Sequence, residues 1–234
     1  MGLKNIVRTG LKTLGLEIRR SQPRGVTCDV FRDMERLGAP GRVIFDVGAN
    51  KGQSIVFFTQ LFPNSQIHAF EPDPSAYAEA QTKCRSGVVL NKLALGDTAG
   101  EFEFNCYTGS NMSSFLAPGQ ETWDSVKNTE VVQVQRLDDY CKSVGVERID
   151  ILKIDAQGFD GAVLRGGAAM IEAKRIGLIR IELTFRDLYQ GQEDPLTWLQ
   201  WLNKRGYRIV SFYEQHHNGN TLGWVDALLI PIRP

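Results

Sequence analysis

Val43-Ile44-Phe45-Asp46-Val47-Gly48-Ala49-Asn50-Lys51-Gly52-Gln53-Ser54 is the stretch that decides the fold. A short apolar run meets a glycine turn, and apolar residues then recur at helical spacing. This is a buried strand, a tight turn and a helix. Glycine lets the chain turn sharply and lets a ligand approach the backbone. Free N–H groups at a helix start can bind a carboxylate. Asp46, at the strand end, can accept from an ammonium, directly or through water. Asp46, Gly48, Asn50, Gly52 and Ser54 are therefore candidate ligand-binding residues.

Working outward, residues 66–70 form a second apolar strand that ends at Glu71, 25 positions beyond Asp46. In Rossmann-like sheets an acid near this place accepts the hydroxyls of a ribose. Pro72 and Pro74 keep the chain extended beyond it, and Asp73 can cap a helix over 74–85. Strand signals follow at 88–93, 149–154 and 177–183, with helices over 53–62, 137–144, 161–173 and 196–204. Segments 101–107 and 130–135 alternate apolar and polar residues, as half-exposed antiparallel strands do. A polar loop, 108–128, joins them. Residues 208–213 and 224–230 close the chain as a hairpin. Strands alternating with helices predict an α/β, Rossmann-like fold: a mostly parallel sheet ending in an antiparallel hairpin at or near one edge.

The chain has 234 residues, which suits one such domain over 26–234 with a short extension in front. Hydrophobic residues make up 42% and charged residues 23%, and the formal net charge is zero. Nothing in this balance favours nucleic acid as a partner. Cys28, Cys84, Cys106 and Cys141 are far apart, with no His at ligand spacing, so neither a disulfide framework nor a zinc site is expected. No apolar run is long enough to span a bilayer, and a cytoplasmic location is expected. Residues 1–25 carry six bases and one acid. Leu3, Ile6, Val7, Leu11, Leu14 and Ile18 share one helical face, with Lys4, Arg8 and Lys12 on another. A second helix is expected over 26–37, stopped by Gly38 and Pro40. The basic amphipathic helix at 1–20 can pack on the domain or make weak contact with an anionic membrane surface.

A dinucleotide site favours G-x-G-x-x-G, whose second glycine makes room for pyrophosphate. Here Asn50 stands near that crowded place, which disfavours NAD. A methyl donor such as S-adenosyl-L-methionine has no pyrophosphate, so the departure costs it little. Further motifs lie downstream: Phe70-Glu71-Pro72, Asn91-Lys92-Leu93-Ala94-Leu95-Gly96-Asp97, Arg136-Leu137-Asp138-Asp139-Tyr140, and Leu152-Lys153-Ile154-Asp155-Ala156-Gln157-Gly158-Phe159-Asp160. Together with the glycine turn, these resemble the FkbM family of methyltransferases, over about residues 43–182. The resemblance implies the class I methyltransferase fold, S-adenosylmethionine, and O-methylation of a sugar, glycan or natural product. It adds Asn91 to the cofactor-binding candidates. Some members carry Glu where this chain has Gln157, and a neutral amide there is a poor proton acceptor.

Methyl transfer from a sulfonium is an in-line displacement, so the acceptor oxygen must be aligned with the methyl carbon. An alcohol acceptor also benefits from a base. Asp155 ends one predicted strand and Glu182 the next, at the sheet edge where α/β proteins bind ligands. Both are catalytic candidates. Asp155 is also a cofactor-binding candidate, and Glu182 an acceptor contact. Asp155 can alternatively cap the next helix, or join a second carboxylate on a divalent metal, although no metal site is expected. Ser113, Ser114 and His216 are further acceptor-side candidates; His68, inside a strand, reads as structural. The competing functions are N- or C-methylation of another substrate, NAD-dependent oxidation, and non-catalytic ligand binding on the same fold.

Overall fold

The structure is a computed structural model that describes residues 29–37 and 40–232. The amphipathic helix expected at 1–20, Cys28, Gly38 and the start of the helix expected at 26–37 lie outside the described residues. What is described of that second helix, α1, spans Val30–Arg36, with Asp29 as its N-cap.

The main sheet has seven strands in the order β3-β2-β1-β7-β8-β10-β9. β1 (Val43–Val47), β2 (Gln66–Phe70), β3 (Val88–Asn91), β7 (Ile149–Ile154) and β8 (Ile176–Thr184) pair in parallel. β10 (Thr221–Pro231) runs antiparallel between β8 and β9 (Tyr207–Asn218). The expected hairpin is therefore present at one edge, longer than its apolar cores alone suggested. Its turn falls at Gly219-Asn220, which leaves His216 and His217 on β9 rather than in the tip.

All six residues of β7 are buried, as a central parallel strand covered on both faces must be. Alternate residues supply two separate cores. Ile44, Ile67, Ile151 and Leu178 pack with Val30 and Met34 of α1, with Ile55 and Phe58 of α2 (Gln53–Leu61), and with Ala80 of α3 (Pro74–Gln81). Phe45, Leu152, Ile154 and Ile179 face the other way. They meet Tyr140 of α4 (Leu137–Val144), Leu164 of α5 (Asp160–Gly166), Ile171 of α6 (Ala168–Glu172) and Trp198 of α7 (Pro195–Lys204).

Three expectations shift. The strand expected at 88–93 divides after Asn91, whose side chain turns back onto the Ala69 and Val89 carbonyls. The chain then enters a second sheet, in which β4 (Ala94–Gly96), β6 (Val126–Arg136) and β5 (Gly100–Tyr107) lie in the order β4-β6-β5. The helix expected to reach 85 ends at Gln81, where the backbone turns through Thr82. The helix expected over 161–173 is two helices. The buried Asp138 carboxylate accepts from the Ala169 and Met170 N–H groups and so caps the second one. Among the described residues, no helix is long and apolar enough to cross a membrane, and Cys84, Cys106 and Cys141 are free thiols.

Candidate active site

A cleft of about 570 Å³, counted out to its open mouth, lies at the carboxyl ends of β1, β2 and β7. Gly48 begins it. Its φ is +73°, and a Cβ there would stand 1.9 Å from the Asp155 carbonyl oxygen, so no other residue fits without moving β7. Asn50 also sits in the left-handed region, at φ 46°, which Asn tolerates better than most residues. The expectation that this turn presents free N–H groups does not hold for four of them. Gly48 and Ala49 both donate to the Phe70 carbonyl, Asn50 to Glu71 Oε2 and Gly52 to the Ala49 carbonyl. The turn is fastened to the end of β2, and the cleft forms beside that seam.

Glu71 lines the cleft, as expected. Its Oε1 accepts from the Asp73 N–H and its Oε2 from the Asn50 N–H, both at 2.7 Å. Burial pushes its carboxyl up to about 8, against the pull of those two donors and of Lys153, with repulsion from Asp73 added. Asp46 lies behind the cleft and is fully buried. Ser54 donates to its Oδ2, and its Oδ1 has no well-aligned hydrogen bond, only the Lys153 ammonium at 3.2 Å. An anchored carboxylate of this kind has no open side for a ligand's ammonium, which corrects the direct form of that expectation. Gly52, Ser54 and Asn91 are likewise absent from the cleft wall. Asn91 instead joins Tyr140 and, through it, His68, in the core.

The other wall was not read from the sequence. Phe104, Phe115 and Phe159 make an apolar end, and Ser110 and Asn111 line the cleft from a short 3₁₀ turn, Ser110–Met112. The Ser110 hydroxyl donates to Asn50 Oδ1 at 2.7 Å, which ties that turn to the glycine loop. Ser113 lines the cleft as expected, although its hydroxyl donates to Asp73 and accepts from the Tyr107 N–H. Ser114 is fully buried, and its hydroxyl donates to the Gln157 carbonyl, so it braces the loop and does not face a ligand.

Asp155 stands at the cleft with its side chain one-third exposed. Oδ1 accepts from Gln157 Nε2 at 2.6 Å, and Oδ2 lies 3.6 Å from Lys153 Nζ. Asp155 does not cap the next helix, whose N-cap is Phe159 without a side-chain bond. Asp160, the first residue of that helix, turns back and accepts from the Ala156 and Gly158 N–H groups of the preceding turn. Burial pushes Asp160 up to about 7. Burial also works against the Lys153 charge, but Asp46 and Asp155 outweigh it and hold the ammonium above its ordinary range. Lys153 and Arg180 pair across β7 and β8, so Asp155 and Glu182, each two residues on, share one face of the sheet. Burial first, then the charges of Asp155, Asp226 and Asp160, push Glu182 well above the usual carboxylate range. Glu182 does not line the cleft itself. Among the described residues, no group of three or more His, Cys, Asp or Glu is placed to hold a metal ion.

His216 is farther out. Its ring stacks on Trp224 at 4.8 Å, Trp224 stacks on Trp123, and the Arg186 guanidinium covers Trp123. Trp224 pairs with Thr184, two residues beyond Glu182, so this ladder borders the end of β8.

A seven-stranded sheet in this order, with a glycine turn after β1 and an acid after β2 on one cleft, defines a class I methyltransferase domain. The profile of the Methyltransferase FkbM domain matches residues 46–209. The 2-O-methyltransferase NoeI of Sinorhizobium fredii is 31% identical over 173 residues, which are 67% of this chain and 69% of NoeI. The 31-O-demethyl-FK506 methyltransferase FkbM of Streptomyces tacrolimicus is 26% identical over 54% of this chain and 60% of its own length. Among solved structures, the methyltransferase FkbM of Methylobacillus flagellatus superposes with a TM-score of 0.53 at 15% identity, over 82% of this chain and 44% of that one. The chain belongs to the FkbM methyltransferase family.

Proposed function

We propose that this chain transfers the methyl group of S-adenosyl-L-methionine to a hydroxyl oxygen of a sugar, glycan or natural-product acceptor. The carrying observation is the cleft itself, with Glu71 on one wall, an apolar aromatic end, and Asp155 at the ends of the parallel strands. The residues suit this donor. Glu71 offers carboxylate lone pairs to two ribose hydroxyls, Phe104, Phe115 and Phe159 offer apolar faces to a base, and Gly48 admits close backbone approach. The bound donor supplies an electrophilic methyl group on a sulfonium. Asp155 would accept the acceptor's hydroxyl proton as its oxygen takes the methyl carbon and the carbon–sulfur bond breaks, its electron pair staying on sulfur; Lys153 steadies the carboxylate from behind. Glu182, on the same sheet face as Asp155 but outside the cleft wall, supports the acceptor side through that carboxylate and not by direct contact.

The oxygen preference rests on two relatives whose names specify O-methylation. Asn50 in the glycine turn argues against NAD, and the zero net charge gives no support to nucleic acid as acceptor. The test is a panel of sugars, oligosaccharides and hydroxylated polyketides incubated with labelled donor, alongside calorimetry with the donor and with NAD. Label in a hydroxyl, with donor binding tighter than NAD, is the expected result. Label only in amines or carbon, or tighter NAD binding, overturns the reading.

A further inference from the structure

The turn after β7 holds Gln157 at φ 49°, in the left-handed region that residues with a side chain seldom adopt. Such a conformation persists only where its surroundings impose it, and it gathers at functional sites. Three hydrogen bonds impose it here. The Ser114 hydroxyl donates to the Gln157 carbonyl at 2.7 Å, and the Asp160 carboxylate takes the N–H groups of Ala156 and Gly158 on either side.

The consequence is the direction of one amide. Gln157 Oε1 accepts from the Tyr189 hydroxyl at 2.8 Å, and Gln157 Nε2 donates to Asp155 Oδ1 at 2.6 Å. Tyr189 is almost fully buried, and burial raises its phenol, so it remains a donor. Its single proton is shared between Gln157 and the Met112 carbonyl. With Nε2 donating to the Asp155 carboxylate, Oε1 is left facing the phenol and takes its proton, so the two contacts together hold the amide in one orientation.

We propose that Gln157, its amide oriented by Tyr189, is a positioning residue that holds the Asp155 carboxylate toward the cleft and gives its Oδ1 a neutral donor. The mechanistic weight of this contact rests on the reading of Asp155 as the base. The neutrality matters because Asp155 already stands among charges on every side. Lys153 on β7 and Arg180 on β8 bring cations near it, and Glu182 on β8, Asp160 on α5 and Asp226 on β10 bring further carboxyl groups. A second carboxylate at position 157 would face Oδ1 at hydrogen-bond distance, and the two acids would have to share a proton.

The experiment follows the Asp155 carboxyl carbon by ¹³C NMR in a pH titration of the full chain, assigned by its loss in Asp155→Asn. Gln157→Glu should move the midpoint upward by at least about one unit relative to the unsubstituted protein. With an acceptor in hand, it should lower kcat about tenfold at neutral pH, restore it at higher pH, and leave donor affinity unchanged. Tyr189→Phe, which frees the amide to rotate without adding charge, should lower kcat severalfold with little movement of the midpoint. If Gln157→Glu does not fold, Gln157→Met tests the same contact by removing the donor, with a smaller upward shift expected. A folded variant at 157 whose Asp155 midpoint stays in place overturns the proposal. The titration needs no acceptor, so absence of methyl transfer to hydroxyls strikes only the functional reading, and an unmoved midpoint strikes this one.

Discussion

At the ends of β1 and β2 the cleft wall is backbone locked by hydrogen bonds, whereas at the end of β7 the wall carries Asp155 with a cluster of charged side chains behind it. On the first side, Gly48, Ala49 and Asn50 stitch directly to Phe70 and Glu71, and there is no room for adjustment. On the second, Asp155, Lys153, Glu182 and Arg180 bring acids and bases together on one face of the sheet, partly buried. A donor that never changes suits a rigid backbone mould. An acceptor whose oxygen must lose a proton needs groups that can exchange one. The two halves should therefore fail differently: the first through fit, the second through rate.

The largest effect should come from the backbone side. Gly48→Ala places a Cβ against the Asp155 carbonyl and forces a side chain into a left-handed conformation. Two such penalties together should cost more than about 2 kcal/mol of stability and abolish measurable donor binding. Thermal melting with calorimetry checks this; a variant that melts near the parent temperature and still binds donor would show that the seam is soft after all.

Asp155→Asn tests the other side. It keeps the shape, and the Asp155 carboxylate is held by the Gln157 and Lys153 side chains and caps no helix, so stability should hold. Removing a general base typically costs about 10² to 10⁴ in rate, with donor affinity almost unchanged. Equal losses of donor affinity and turnover would erase the division between the two halves.

The same contrast explains what could be read from the sequence. β1, β2, α4 and β7 are local patterns of apolar spacing, glycine and cap, and they appear where those patterns place them. Glu71 was legible for the same reason, being fixed by a strand end. Ser54 and Asn91 spend their side chains on hydrogen bonds to Asp46 and the Ala69 carbonyl, and Gly52 lies against Ala80, a distinction from the cleft residues that only the backbone path reveals. The division of the helix near Gly167 depends on Asp138, a distant residue that caps its second half. Ser110, Phe104 and Phe115 reach the cleft because the small sheet folds over it, and no periodicity announces that. Gln157 could be questioned as a proton acceptor from sequence, but its partner Tyr189 lies 32 positions away.

Glu71 gives an intermediate effect with a pH signature. Its folded-state value of about 8 lies above the ordinary 4.5, so the ligand-free fold holds this proton more tightly than the unfolded chain. Its contribution to stability is therefore greatest at low pH and declines as pH rises from about 4.5 to about 8. Ribose hydroxyls favour the ionised form, so donor affinity should rise with pH toward about 8 and then level off. Glu71→Ala should weaken the donor at least about tenfold, since each charge-assisted hydrogen bond is worth roughly 1.5–3 kcal/mol. That variant should also flatten the pH dependence. Isothermal titration of both proteins between pH 6 and pH 9 decides it, and a flat profile in the parent protein would remove Glu71 from donor binding.

The smallest effect is expected from removing residues 1–20. The donor side of the cleft begins at β1, and among the described residues its seam joins residues 48–50 to 70–73. Donor affinity should stay within about twofold, inside the few tenths of a kcal/mol that distant, independent changes usually produce. The acceptor side permits a different result, because a basic amphipathic segment can carry an enzyme to an anionic surface without touching its donor. Comparing the full and shortened chains on vesicles with and without anionic lipid separates these roles. Binding of anionic vesicles by the full chain alone, with equal donor affinity in both, would place the segment outside the donor site and at a membrane surface. Equal vesicle behaviour with equal donor affinity would leave packing on the domain as its role. A shortened chain that is folded yet cannot bind donor would mean that the backbone mould extends beyond β1 and β2, and the contrast between the two halves would have to be redrawn.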